Sequence, residues 1–180
     1  MNSYKIIKYT SEHYQMWNNF VAQAKNATFL FHRDFMEYHS DRFEDYSLLV
    51  FDEKENLKAI FPANISENKL FSHHGLTYGG IVIDASLKLE KFIAIYAEIL
   101  HFLNENKIQI INFKLIPSIY CSQPSEEIKY ALFLSEAKLT RRDALVTVAL
   151  QSQFKIDSNR VEGVKRAEKL GLKIIKEIDF

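Results

Sequence analysis

The sequence has little of several residue types, and each scarcity excludes a class of protein. Its single cysteine, Cys121, cannot form a disulfide within the chain, which predicts a reducing, cytoplasmic location. Five glycines and three prolines among 180 residues disfavour a loop-rich fold. No apolar run is long enough to span a bilayer, and the first residues lack a signal-peptide pattern, so we predict no transmembrane segment.

Charge of one sign is not in excess either. Lys+Arg and Asp+Glu both number 23, whereas a general nucleic-acid binder usually has a basic excess. The distribution is uneven, with eight acids and three bases over residues 33–55, and seven bases and three acids over residues 155–176. These segments are either two solvated faces of opposite sign or, for the second, a functional basic helix.

What the sequence does contain is apolar and aromatic. Apolar residues make up 47% of the chain and aromatic residues 13%, which predicts a globular protein with a sizeable core. Alternating and helical apolar spacing predicts the element order β-α-α-β-β-β-α-β-α-β-α-β. The strands are predicted at residues 4–9, 46–51, 57–65, 69–73, 108–116, 144–150 and 172–178.

Local signals refine several of these elements. Pro62 indicates an edge or a bulge in the strand over residues 57–65. The strand over residues 108–116 is apolar on both faces, which predicts a central strand covered on both sides. The predicted N-terminal caps are Thr10 or Ser11, Asp84 or Ser86, Ser122 or Ser125, and Asp157 or Ser158, and the predicted C-terminal cap of the last helix is Gly171.

The element order resembles the GNAT acyltransferase fold, an α/β fold with a mixed, mostly antiparallel central sheet flanked by helices. Several segments also resemble the amino-terminal half of Fem-type transferases. The most specific is 72–82 (SHHGLTYGGIV), and weaker ones are 26–36, 43–50, 57–63, 116–132 and 160–172. The resemblance implies that residues 1–155 form a first GNAT-like half and that residues 156–180 begin a second.

This resemblance implies a transferase that moves an acyl or aminoacyl group to an amine of a cell-envelope precursor. Acyl-CoA or aminoacyl-tRNA would be the donor substrate, and the amine would attack it directly. Two alternatives stay open: a non-catalytic half that binds a ligand or a partner, and a self-contained acetyl-CoA N-acetyltransferase. The oligomeric state is open as well, with a homodimer as one alternative.

The substrate site is predicted around the glycine-containing loop and two later turns. Its candidate residues are His73, His74, Tyr78, Gly79, Gly80, Tyr120, Gln123, Arg141 and Arg142. The histidines and Tyr78 can act as a general base or hydrogen-bond donor, or the loop is only a turn packed on a sheet edge. The two arginines either hold a phosphate or lie in a solvated turn. Lys165, Arg166 and Lys169 either contact tRNA or form a solvated helix face.

Other kinds of site have little support in the sequence. The entry to the long helix, residues 81–86, has no glycine, and Asp84 would repel the pyrophosphate of coenzyme A, so no cofactor is firmly implied. Two adjacent histidines do not complete a metal ligand set. Cys121 is either a semi-buried thiol or a nucleophile whose base the sequence does not place. No catalytic residue is therefore assigned.

Overall fold

A computed structural model describes residues 4–38, 40–144, 146–147, 149 and 155–175. It divides into two compact units, residues 1–138 and residues 139–180. The boundary at residue 155 that the Fem-type resemblance implies stays a prediction. None of the helices in the described part of the chain has the length and apolar character needed to cross a membrane.

The first unit is a mixed α/β structure with two mostly antiparallel four-stranded sheets. The strands are β1 (Lys5–Lys8), β2 (Glu44–Asp45), β3 (Leu48–Phe51), β4 (Leu57–Phe61), β5 (Asn64–Ser66), β6 (Lys69–Phe71), β7 (Val82–Ile83) and β8 (Ile110–Asn112). One sheet has the order β1-β3-β4-β7 and the other β2-β5-β6-β8, and only the β6–β8 pair is parallel. The helices are α1 (Tyr14–Gln23), α2 (Arg33–Glu37), α3 (Leu89–Glu105) and α4 (Glu127–Leu134), with short 3-10 turns at Ser11–His13, Phe29–Phe31 and Ser118–Tyr120.

The core has two parts because β3 and β4 are buried on both faces. Side chains alternate along a strand, so Leu48 and Val50 belong to one apolar cluster and Leu49 to the other. The first cluster includes the apolar side of α3, from Phe92 to Leu103. The second includes Trp17 of α1, whose indole donates to the Phe31 carbonyl at 2.7 Å. The first sheet therefore lies between two helical layers.

The predicted strand over residues 57–65 is wrong as a single element. It is two strands in different sheets, with β4 ending at Phe61 and β5 beginning at Asn64. Pro62 lacks an N–H and cannot continue a ladder, so the chain passes from one sheet to the other there. Ser47 holds the crossing point, because its hydroxyl oxygen accepts from the Ala63 N–H at 3.2 Å.

The prediction of a central strand over residues 108–116 is also wrong. Only β8 is formed, and it lies at the edge of its sheet within the described residues. The chain then leaves β6 and pairs with the loop at Gly79, where the Gly79 N–H donates to the Lys114 carbonyl at 2.5 Å. The two apolar faces arise because Ile108 belongs to one core cluster and Ile116 to the other.

Two predicted helix starts are displaced. α3 begins at Leu89, because the Asp84 carboxylate accepts from the Ser86 N–H at 2.8 Å and closes a turn before the helix. α4 begins at Glu127 with Glu126 as its N-terminal cap, so neither Ser122 nor Ser125 caps it. The Ser125 hydroxyl instead donates to the Glu127 carboxylate at 3.3 Å.

The second unit contains α5 (Ser158–Lys169), and both of its predicted ends are confirmed. The Asp157 side chain caps the start by accepting from the Asn159 N–H at 2.9 Å. Gly171 ends the helix with a φ of +76°, and the Leu172 N–H donates to the Ala167 carbonyl at 3.1 Å. Of the strands predicted over 144–150 and 172–178, residues 144, 146–147, 149 and 172–175 lie in no strand, and the others lie outside the described residues.

Candidate functional site

The loop over residues 72–80 joins β6 to β7, and hydrogen bonds hold it to the segment that follows β8. The Ser72 N–H donates to the Asn112 carbonyl at 2.9 Å, and the Ser72 hydroxyl accepts from the Lys114 N–H at 2.7 Å. The Lys114 ammonium donates to the Leu76 carbonyl at 2.5 Å. Together with the Gly79–Lys114 bond, these contacts hold both ends and the middle of the loop on one neighbouring segment.

The loop's backbone explains its glycines. A Cβ on Gly79 would lie 1.9 Å from the Ser72 carbonyl oxygen, so only glycine allows the two ends of the loop to approach. Gly80 has a φ of +107°, a backbone angle that residues with a side chain rarely adopt. His73 takes a left-handed φ of +63° without being glycine, a costly conformation that persists only where the surroundings enforce it.

At one end of the loop lie the two histidines. His73 is buried, with its ring edge-on to Phe43 at 5.8 Å. His74 is exposed as a residue, but its imidazole stacks on Phe71 with ring centres 3.6 Å apart. This partial burial, with a smaller effect of the Lys114 charge, lowers the pKa of His74 from its ordinary value of 6.5. The imidazole is therefore neutral at pH 7 and able to accept a proton.

At the other end lies a pair of stacked tyrosines. The Tyr78 and Tyr120 rings have centres 5.5 Å apart, and the Tyr78 hydroxyl donates to the Thr28 hydroxyl at 3.1 Å. Phe31 packs edge-on against Tyr78 at 6.1 Å. Tyr78 is thus fixed from two sides, while 44% of Tyr120 remains exposed. The arrangement offers an aromatic ring to a ligand in solution.

Cys121 follows Tyr120 and is half-buried. Burial raises the pKa of its thiol, with Glu126 the next contributor. Because the thiolate is the nucleophilic form, a raised pKa disfavours covalent catalysis by this side chain.

The structure brings six of the predicted site residues together. His73, His74, Tyr78, Gly79 and Gly80 share the loop, and Tyr120 packs on it. Gln123 lies exposed in the bend before α4. The remaining candidates belong to the second unit, all of them exposed: Arg141, Arg142, Lys165, Arg166 and Lys169. Within that unit Arg141 donates to Asp143 at 2.9 Å and Arg166 to Glu162 at 3.3 Å.

Sequence reasoning missed the residues that support the loop from elsewhere. The buried Asn64 accepts from the His74 N–H at 2.7 Å, and Lys114 crosses to Leu76. Each is a polar residue in a largely apolar stretch of the sequence, and this is the signal from which they could have been predicted. Thr28 gives no such signal, because its contact with Tyr78 spans 50 residues of sequence.

The turn before α3 has its polar groups already occupied. The Asp84 carboxylate accepts from both the Ser86 N–H and the Ser86 hydroxyl, at 2.8 and 2.5 Å. Burial alone would raise the pKa of Asp84, but the hydrogen bonds from Ser86 hold it below its ordinary value. The turn before α3 therefore presents a carboxylate, which would repel a phosphate group. Across the described residues, no three His, Cys, Asp or Glu side chains group as a metal site.

Comparison with known proteins adds no assignment. The sequence matches no protein-family model and no curated protein. The Fem-type resemblance therefore depends on the segments quoted above.

Proposed function

We propose that this chain forms the acceptor-binding wall of a GNAT-like, Fem-type transferase that moves an acyl or aminoacyl group to an amine of a cell-envelope precursor. The observation that carries the proposal is the loop over residues 72–80, which holds the His74 imidazole against Phe71 at one end and an exposed aromatic stack at the other. The same loop contains the segment that most resembles the family. Polar and aromatic groups held in fixed positions are what ligand sites require.

The chemistry of transfer fits these groups. The attacking amine forms a C–N bond with the donor carbonyl, and the ester or thioester bond breaks to release the tRNA hydroxyl or the coenzyme A thiol. The proton that the amine loses ends on that leaving oxygen or sulfur. His74 is suited to take that proton because its lowered pKa keeps the imidazole neutral at pH 7. Because its raised pKa makes the Cys121 thiol a poor nucleophile, we favour direct attack by the amine without a covalent enzyme intermediate.

The donor is the less constrained substrate. Asp84 opposes the binding of acyl-CoA phosphates at the turn before α3. An aminoacyl-tRNA donor is compatible with the exposed bases Lys165, Arg166 and Lys169 of α5. We therefore assign the loop to the acceptor and favour aminoacyl-tRNA over acyl-CoA as donor.

Calorimetry with a matched pair of tyrosine variants tests the proposal. A nucleotide-linked muramyl peptide, titrated into the protein, should bind, and Tyr120→Ala should weaken its binding about fivefold because a ring contact is worth roughly 1 kcal/mol. Tyr130→Ala is the control, since Tyr130 lies on α4 and is 47% exposed against 44% for Tyr120. That control should bind like the unaltered protein.

The other functions give different results in the same experiment. Tight binding of acetyl-CoA without binding of the muramyl peptide would contradict the proposal and favour a self-contained N-acetyltransferase. Binding of the muramyl peptide with no transfer from any aminoacyl-tRNA or acyl-CoA would favour a non-catalytic binding half.

A further inference from the structure

Residues 25–28 lie between α1 and the 3-10 turn at Phe29–Phe31, and we call them the connector. The connector runs beside β7, an edge strand of the first sheet in the described part of the chain. Asn26 pairs with it as a neighbouring strand would: its amide nitrogen donates to the Ile81 carbonyl at 2.9 Å, and its amide oxygen accepts from the Ile83 N–H at 2.9 Å. Because Asn26 is only 3% exposed, water does not compete for these bonds, and the connector is fixed to the sheet.

The connector holds both rings of the tyrosine stack. The Tyr78 hydroxyl donates to the Thr28 hydroxyl at 3.1 Å, and the Thr28 side chain does not cap the 3-10 turn that follows it. Tyr120 is held through the chain that follows it, because the Ser122 N–H and hydroxyl both donate to the Lys25 carbonyl, at 2.8 and 3.1 Å. The two rings come from different parts of the sequence, and they share one support.

The Lys25 side chain adds a further attachment at the Tyr120 end. Its ammonium pairs with the Glu127 carboxylate at the start of α4, and the two side chains are 6% and 14% exposed. Solvent screens a buried pair much less than an exposed one, so this contact persists at ordinary salt concentrations. The segment between Tyr120 and α4 is thus attached to Lys25 both at Ser122 and at Glu127, which limits how far the Tyr120 ring can move.

We propose that Thr28 is a positioning residue of the candidate acceptor site, and that the connector sets the angle and distance at which the Tyr78 and Tyr120 rings stack. Tyr120 offers its exposed ring to the ligand, and Thr28 acts on that ring through Tyr78. A ring that is already held in place loses less conformational freedom on binding, which raises the affinity. The placement of the rings is argued from these contacts, and only the choice of ligand rests on the proposed transferase function.

Nuclear magnetic resonance of labelled tyrosine rings, together with calorimetry, tests the proposal on the whole chain. Thr28→Val removes the hydroxyl with little change in volume and should shift the ring resonances of both Tyr78 and Tyr120, because the second ring stacks on the first. It should also weaken the binding of the nucleotide-linked muramyl peptide about fivefold, since the ring must then be ordered as the ligand binds. Thr28→Ser keeps the hydroxyl and should restore both the resonances and the affinity.

Thr10→Val is the matched control. The Thr10 hydroxyl also makes a side-chain contact, with the His13 imidazole at 2.9 Å, so this substitution removes the same chemical group elsewhere in the first unit. It should leave both ring resonances and the affinity unchanged. If circular dichroism finds Thr28→Val unfolded, Ser122→Ala replaces it, because it removes a hydrogen bond to the connector and should shift the Tyr120 ring resonance.

The outcomes separate this inference from the proposed function. Unchanged ring resonances in Thr28→Val would overturn the inference, and so would shifted resonances combined with the affinity of the unaltered protein. A Thr28→Ser variant that behaves like Thr28→Val would overturn it as well, because the hydroxyl would then not be the group that matters. If the unaltered protein does not bind the muramyl peptide, the proposed function fails, and the ring resonances alone decide whether Thr28 places the stack.

Discussion

Gly79 is the residue at which the candidate site tolerates the least change. Gly79→Ala places a methyl group 1.9 Å from the Ser72 carbonyl oxygen, a backbone atom that cannot rotate away. We expect the free energy of unfolding to fall by about 3 kcal/mol, measured by urea denaturation, because the loop must separate from Ser72. Gly163→Ala is the control: its Cβ meets nothing within 4 Å on α5, so the same substitution should not destabilise the protein. Equal stability of the two variants would contradict the close approach.

The burial and the partners of some single residues cannot be predicted from their neighbours in the sequence. Arg33 counts as a surface base in the sequence, yet it is 2% exposed and its guanidinium lies 3.6 Å from the centre of the Tyr9 ring. Its carboxylate partners are Glu37, four residues away, and Asp45, twelve away. The histidines, Tyr78 and Tyr120 were predicted because they stand in or near a recognisable loop. Asn64 and Lys114 were not, because their role depends on contacts that only the fold creates.

At the scale of elements, a buried ion pair joins the end of α1 to the start of α4. The Lys25 ammonium donates to the Glu127 carboxylate, and the two side chains are 6% and 14% exposed. Glu127→Leu leaves the ammonium buried without its partner and should lower the free energy of unfolding by about 3 kcal/mol in urea denaturation. Lys25→Met together with Glu127→Leu should recover most of that loss, because the remaining pair is apolar.

The exposed Lys129–Glu126 pair on the same helix is the comparison for this prediction. Its side chains are about half exposed, and solvent screens their attraction. Glu126→Leu should therefore change stability little. If Glu126→Leu and Glu127→Leu lowered the free energy of unfolding by the same amount, the buried pair would not be what joins α1 to α4.

Most elements of the first unit were predictable from apolar spacing, but their pairing was not. β1, α1, α2 and the body of α3 lie where the pattern predicts them. Apolar spacing reports burial, and it does not report which sheet a strand joins. The pattern therefore predicts one strand around Pro62, although its two parts belong to different sheets. It also predicts a central strand over residues 108–116, although β8 is an edge strand in the described part of the chain. The broad α/β class followed from the sequence, whereas the GNAT-like arrangement stays a proposal.

At the scale of the whole molecule, the buried residues that the structure describes all lie in one of the two units. The last buried apolar residue along the described chain is Ala131, and both core clusters lie within residues 1–138. Between residues 139 and 175, no described residue is buried. Because apolar burial dominates folding free energy, the first unit should hold nearly all of the stability.

Shortening the chain therefore tests the division into units. A protein that ends at Lys138 should keep its free energy of unfolding within about 1 kcal/mol, because none of the described core residues is removed. A protein that ends at Gln123 loses Ile128 and Ala131 from the core and should be destabilised by about 3 kcal/mol or more. Unfolding of the protein that ends at Lys138 would mean that residues 139–180 contribute to the core after all.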